Sequence, residues 1–330
     1  MKIGLDAMGG DKAPRSTVEG AILAAKEYGY HLTLVGPEDL INRELANHNY
    51  PADKLDVVDA SEIIGMDEPA ALSVRKKRSS SIVKGVEFLK KKRYEAFVSA
   101  GNTGAVVCAS TLSLRLLPGV DRPGIAVIFP TLTKPVIVID VGANIDPKPL
   151  HLLQYGIMGD AYSKHIFGKK NPTVGLLNIG EEDTKGTEFV KGAHIMLSES
   201  KLNFIGNVEP REVYNGKADV VVCDGFIGNV FLKVTEGFAD AAATLLKTEL
   251  GKSSFVTKFG ALLTLPAFRA LKKRVDASEH GGAPLMGVDG SVIIAHGASN
   301  AKAIKNAVRA AAENISHQVN KHVIEELNYY

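Results

Sequence analysis

Short runs of apolar and often β-branched residues recur along the chain, at Lys2–Asp6, His31–Gly36, Leu55–Asp59, Ala96–Ser99, Ile125–Phe129 and Val136–Asp140. They continue at Thr173–Asn178, Asn203–Gly206, Asp219–Cys223 and Val292–His296. Several are apolar at consecutive rather than alternating positions, the pattern of strands buried on both faces of a parallel sheet. Between them, apolar residues at helical spacing predict helices over Arg15–Tyr28, Ser79–Lys92, Thr103–Leu116, Leu150–Phe167, Glu188–Ser200 and Asn229–Leu250. The segment Asn300–Leu327 places Ile304, Val308, Ala311, Ile315, Val319 and Val323 on one face and reads as a single last helix. Strands alternating with helices give an α/β layered fold with right-handed crossovers. With no internal repeat and no Pro- or Ser-rich linker, one three-layer α/β/α unit over residues 1–330 with a mostly parallel sheet is expected.

Composition narrows the function classes. Lys plus Arg number 39 and Asp plus Glu 37, a net charge of +2, so no nucleic-acid partner is expected and any basic surface must be local. The two cysteines, Cys108 and Cys223, lie in separate apolar runs and match neither a disulfide framework nor a zinc spacing. They read as buried, reduced thiols. The start, MKIGLDAMGGD, lacks the apolar stretch of a signal peptide, and no window approaches the ~18 apolar residues of a membrane span. A cytoplasmic protein, or one on the cytoplasmic membrane face, is expected.

The polar signals follow the apolar runs, where a parallel sheet presents its ligands. After Asp6 comes Ala-Met-Gly-Gly-Asp11, and after Ser99 comes Ala-Gly-Asn-Thr-Gly104. Asp140 leads into Val-Gly-Ala-Asn144, and Asn178 into Ile-Gly-Glu-Glu-Asp-Thr-Lys-Gly186. Cys223 is followed by Asp-Gly-Phe-Ile-Gly-Asn229, and Ile294 by Ala-His-Gly297. Each loop alone is ordinary turn and cap chemistry; six of them, expected at one sheet edge, point to a polar ligand. No G-x-G-x-x-G follows a strand, and G-x-x-x-x-G-K-[ST], H-E-x-x-H and G-x-S-x-G are absent, so no cofactor and no metal are expected. Gly101, Asn102, Thr103 and Gly104 open a helix, where free N–H groups suit an anion such as phosphate. Asp6, Asp11 and Asp224 serve as turn or cap residues about as readily as catalytic ones, and His296 is a possible donor. The basic run Arg75, Lys76, Lys77, Arg78 is a solvated face or a dock for an acidic partner.

A second signal lies at Lys252–Val275, which holds six basic residues and no acidic one. Phe255, Phe259, Leu262 and Leu263 share one helical face, and after Pro266 so do Phe268, Leu271 and Val275. This predicts a projecting amphipathic helical pair that meets a membrane surface, another subunit or the core.

Taken together, these segments resemble the PlsX family of bacterial phosphate acyltransferases of phospholipid synthesis. The resemblance rests on Asp6–Asp11, Ser99–Ala105, Asp140–Asn144 with Lys148, Pro149 and His151, Leu177–Gly186, Asn203–Asn207, Asp224–Val230 and Gly281–Ala283, in family order. The stretch Thr131–Lys134 is short against the family pattern. The resemblance implies a fold of the isocitrate dehydrogenase and phosphotransacetylase type, a homodimer, and transfer of a fatty acyl group from acyl carrier protein to inorganic phosphate. A membrane acyltransferase would consume the acyl phosphate, and the chain would sit peripherally on the inner membrane face. It places phosphate on Gly101, Asn102, Thr103 and Gly104, with Asn144, Asn178, Lys185, Asp224, Asn229 and His296 around the thioester. Arg75–Arg78 and Lys272, Lys273 and Arg274 become candidates for carrier docking, and Phe255, Phe259, Leu262 and Leu263 for membrane contact. A coenzyme A-dependent phosphotransacylase and a non-catalytic membrane scaffold are the alternatives.

Overall fold

A computed structural model describes residues 1–267 and 281–329. Its strands are β1 (Lys2–Asp6), β2 (His31–Gly36), β3 (Leu55–Asp59), β4 (Ala96–Ser99), β5 (Gly124–Phe129) and β6 (Val136–Ile139). They continue as β7 (Thr173–Leu177), β8 (Asn203–Val208), β9 (Val220–Val222), β10 (Ala283–Met286) and β11 (Ser291–Ile294). The helices are α1 (Arg15–Tyr28), α2 (Glu38–Leu45), α3 (Ala70–Lys76), α4 (Ser81–Lys90), α5 (Thr103–Leu114) and α6 (Pro149–Phe167). After them come α7 (Glu188–Glu199), α8 (Pro210–Asn215), α9 (Gly225–Lys252), α10 (Phe255–Leu263), α11 (Ala301–Ser316) and α12 (Val319–Tyr329).

All eleven strands join one sheet, in the order β3-β2-β1-β4-β11-β10-β5-β6-β9-β7-β8. Strands β3, β2, β1, β4 and β11 are mutually parallel, as are β6, β9, β7 and β8. Three successive antiparallel pairings, β11 with β10, β10 with β5 and β5 with β6, separate the two sets and leave them running in opposite directions. The six polar loops therefore do not share one edge. Those after β1, β4 and β11 leave one edge, and those after β6, β7 and β9 leave the other.

Alternating residues of each strand feed the two helical layers. In β6, Val136 and Val138 join one core with Phe97 of β4 and Val106 of α5, while Ile137 and Ile139 face Tyr155 and Met158 of α6. In β1, Ile3 and Leu5 pack with Val18 and Ile22 of α1 and Ile304 and Val308 of α11.

The expected single last helix is two. The break falls after Ser316, and Gln318 there adopts a left-handed φ of 47°. The periodic stripe survives it because Val319 and Val323 are buried against the α6 side of the sheet. Helix α12 docks through Lys164, which bridges Asp160 at 2.8 Å and Glu326 at 2.9 Å, and through stacked rings of His165 and His322 at 3.5 Å. Burial, and after it the charge of His322, holds His165 below the ordinary imidazole range. A base with its folded pKa lowered protonates in the unfolded chain first, so stability falls as pH drops below about 6.5. Melting of the wild type should therefore show a drop in Tm from pH 7 to pH 5 that is smaller in His165→Gln.

Candidate active site

The first loop cluster is built around the start of α5. Asn102 caps this helix, its Oδ1 accepting from Ala105 N at 3.0 Å. Its Nδ2 donates to the carbonyls of Gly65, Met66 and Glu68 at 3.0–3.1 Å. The side chain expected to face phosphate is thus committed to the fold, and Asn102 is buried. The backbone N–H groups of Asn102, Thr103 and Gly104 donate to no described residue, and Thr103 and Gly104 are exposed. They are the open donors that the first turn of a helix leaves.

Behind the loop lies Asp6, which accepts from Met8 N at 3.0 Å and from Ser99 Oγ at 2.7 Å; Ser99 Oγ accepts from Gly101 N at 3.0 Å. Asp11 N donates to Gly297 O at 2.8 Å, joining the β1 and β11 loops. His296 is exposed, and its Nδ1 accepts from Ala298 N at 3.2 Å. The proton of the neutral ring is thereby assigned to Nε2.

The second cluster gathers the remaining candidates. Asp140 follows β6, and its buried carboxylate accepts from the N–H groups of Ile125, Gly142, Ala143 and Asn144 at 2.7–3.0 Å. Burial pushes its pKa up, and those N–H groups hold it back. The amide of Asn144 donates to Pro123 O at 2.5 Å and Tyr155 Oη at 2.8 Å. Asn178 is likewise spent: Nδ2 donates to Lys185 O at 3.2 Å and Oδ1 accepts from Ile179 N at 2.8 Å. Asp224 caps α9, with Oδ1 accepting from Phe226 N and Ile227 N at 3.0 and 2.8 Å. The amide of Asn229 makes no hydrogen bond to a described residue, and Lys185 is half exposed with Glu182 4.0 Å away. So Lys185, Asn229, Asp224 Oδ2 and His296 Nε2 have capacity left for a ligand, while Asn102, Asn144 and Asn178 shape the loops.

Helix α9 connects the clusters. At its start Gly225 N donates to Asn144 O at 2.8 Å, and a methyl group on Gly142 would lie 3.8 Å from Asn229 Cγ. Further along, Glu236 Oε2 lies 3.9 Å from His296 Nε2. At 1.5 Å per residue, Asn229 and Glu236 are about 10 Å apart along the axis. Glu236 has no distinguishing sequence signal and was not foreseen in the site; nor was Glu68, whose carboxylate fastens the turn that Asn102 grips. Glu68 accepts from Lys77, Gly65 N and Ser73 Oγ, and these hold its pKa down to about 2, the Lys77 bond foremost.

That contact revises the basic run. Lys77 is occupied by Glu68 and by Ile63 O, whereas Arg75 and Lys76 are exposed at the end of α3. It is the first turn of α3 that packs on the start of α5, where a methyl on Gly104 would come within 2.9 Å of Ala70 Cβ, and Arg75 and Lys76 lie at the other end of that helix. Lys272, Lys273 and Arg274, with Phe268, Leu271 and Val275, fall outside the described residues. On α10, Phe255, Phe259, Leu262 and Leu263 are all more than half exposed. No helix among the described residues is long and apolar enough to cross a membrane.

Comparison with known proteins agrees with this architecture. Solved structures of a phosphotransacetylase from Streptococcus pyogenes (TM-score 0.65, 16% identity, 97% of this chain and 94% of that one) share the fold. So does a 4-hydroxythreonine-4-phosphate dehydrogenase from Klebsiella pneumoniae (TM-score 0.57, 12% identity, 96% and 99%). The phosphotransacetylase-like fold expected from the sequence is therefore present. Phosphate acyltransferases from Heliobacterium modesticaldum and Halothermothrix orenii are far closer in sequence. The first is 52% identical over 316 residues, 96% of this chain and 94% of the relative. The second is 48% identical over 331 residues, 99% of each. The profile of the family described as fatty acid synthesis protein matches residues 1–322. The chain belongs to that family, the phosphate acyltransferase family of lipid synthesis.

Proposed function

We propose that the acyl donor is a long-chain acyl carrier protein and that inorganic phosphate attacks its thioester directly. Acyl transfer to phosphate is the chemistry of the family; the donor, the path and the residues are the proposal. The observation that carries it is the run of unclaimed N–H groups on Asn102, Thr103 and Gly104, with exposed Arg75 and Lys76 at the far end of the helix whose first turn packs on Gly104. The first suits an oxyanion and the second the acidic surface of a carrier protein.

Phosphate supplies its own ionised nucleophile, so the protein's work is positioning and charge stabilisation. A phosphate oxygen bonds to the thioester carbon, the carbonyl becomes an oxyanion, and collapse expels the pantetheine sulfur as thiolate. Lys185, Asn229 and the Nε2–H of His296 are the donors with capacity for the phosphate and that oxyanion. Asp224 Oδ2 orients a donor or the pantetheine arm. An enzyme-bound acyl group on Cys223 is disfavoured: the thiol is buried, donates to Asp140 O at 3.3 Å, and is held protonated chiefly by that burial.

Two apolar surfaces fit different neighbours. On α9, Ile227, Val230, Val234, Phe238 and Leu245 are exposed among charges of both signs, which suits a second copy of the chain. On α10 the exposed stripe is accompanied by Lys258 and no acid, which suits an anionic membrane on the cytoplasmic side. There the poorly soluble acyl phosphate would pass to a membrane acyltransferase. Phe255→Asp with Phe259→Asp should lower binding to anionic vesicles by tenfold or more, at roughly 1.5–3 kcal/mol per buried aromatic, and leave turnover of soluble donor intact. Unchanged vesicle binding would place the anchor elsewhere.

The reaction itself is tested with palmitoyl-acyl carrier protein and inorganic phosphate, trapping acyl phosphate with hydroxylamine, beside palmitoyl-coenzyme A. Product from the carrier protein is expected. Product from the coenzyme A ester alone would make the chain a coenzyme A-dependent phosphotransacylase, and silence with both would support a binding scaffold.

A further inference from the structure

Asp6 is 1% exposed, and its hydrogen bonds come from Met8 N and the Ser99 hydroxyl. A carboxylate buried without a cation costs stability, and burial here pushes its pKa up against the pull of Ser99 first, then of Ser81 and the Met8 and Gly9 N–H groups. The arrangement has a direction. The hydroxyl of fully buried Ser99 gives its single proton to Asp6 Oδ2, which leaves the Ser99 oxygen as acceptor for Gly101 N–H. The chain Asp6, Ser99, Gly101 thereby draws one N–H inward at the point where the next three remain unclaimed. The loop is tightly backed on the side of Gly9. A methyl group on Gly9 would lie 2.6 Å from Gly101 N and 2.9 Å from Asp6 Oδ2.

We propose that Asp6 is a positioning residue for phosphate, setting through Ser99 the backbone of residues 101–104. The inference rests on the reading that phosphate binds there. It gives the buried acid of the N-terminal Asp-Ala-Met-Gly-Gly-Asp segment a task in the reaction.

Three variants test it, assayed in the full chain with palmitoyl-acyl carrier protein. Ser99→Ala removes the middle of the chain and spares the bond from Met8. Asp6→Asn keeps the shape and weakens the acceptor. Thr103→Pro deletes one proposed phosphate-binding N–H at the first helical position, where proline is tolerated and Asn102 already has an extended ψ of 110°. The loss of one well-made hydrogen bond predicts a phosphate KM raised about five- to tenfold in Ser99→Ala and Asp6→Asn, with the KM for the acyl donor unchanged. A merely structural role would lower Tm and leave the phosphate KM alone. Thr103→Pro raising the phosphate KM while folded Ser99→Ala does not would overturn the role of Asp6 and keep the phosphate site. No change in either variant would overturn both.

Discussion

Alanine at Asp140 should lower the stability of the folded chain by about 3–5 kcal/mol, the largest effect expected of any single side chain in the site. The carboxylate accepts four backbone N–H groups, from Ile125, Gly142, Ala143 and Asn144, in a region where Asp140 itself is fully buried. Leaving such donors without an acceptor costs roughly 1–3 kcal/mol each, offset in part by relief from burying a charge. Against a total stability of about 5–15 kcal/mol this is a large share. Asparagine keeps one oxygen for the three N–H groups now on Oδ1, but sets an NH2 against Asn144 N. An intermediate loss of about 2 kcal/mol is expected. Urea unfolding of the two variants measures both. Asp140→Ala within about 1 kcal/mol of wild type would mean that the loop is held by other contacts.

The second large effect is catalytic. Lys185→Ala should fold with a Tm near that of the wild type, because the side chain is half exposed and its nearest acid, Glu182, is 4.0 Å away. Its kcat/KM for acyl phosphate formation should fall by about 10²-fold, the usual scale for removing one charge-stabilising donor. Lys185→Arg keeps the charge but not the compact ammonium, and should recover only part of the rate. Activity within threefold of wild type in a folded Lys185→Ala would remove this residue from the chemistry.

Much of the frame was legible from hydrophobic spacing alone. The bounds of β1 to β4 and α1 match the apolar runs because each is closed by a polar residue or a glycine. Strand direction was not legible: a buried run such as Val136–Ile139 reads the same whichever way it lies, so the reversal that divides the loops between two edges is a tertiary fact. Strand β10 escaped because Ala283-Pro284-Leu285-Met286 is short and contains a proline. It tolerates Pro284 while pairing with β11 through its first two residues and with β5 through the last two. The division of the last helix at Gln318 escaped because no Gly or Pro marks it.

The site shows the same limit at the level of side chains. Asn102, Asn144 and Asn178 announce themselves as polar residues after strands, as a ligand-binding residue would. Their amides are nevertheless consumed by carbonyls and N–H groups that only folding brings near. Lys77 looked like one member of a basic run until Glu68, nine residues earlier, occupied it. What the spacing could show was where polar chemistry collects; which atoms remain free for a ligand depends on long-range partners.

The central claim is direct attack by phosphate on the carrier-bound acyl group, and intact-mass measurement tests it most directly. The enzyme is mixed with excess palmitoyl-acyl carrier protein without phosphate, measured, and then given phosphate while acyl phosphate is followed. The account predicts an enzyme of unchanged mass in the first stage and product only after phosphate is added. A palmitoyl adduct that forms without phosphate and is then converted into acyl phosphate would contradict it.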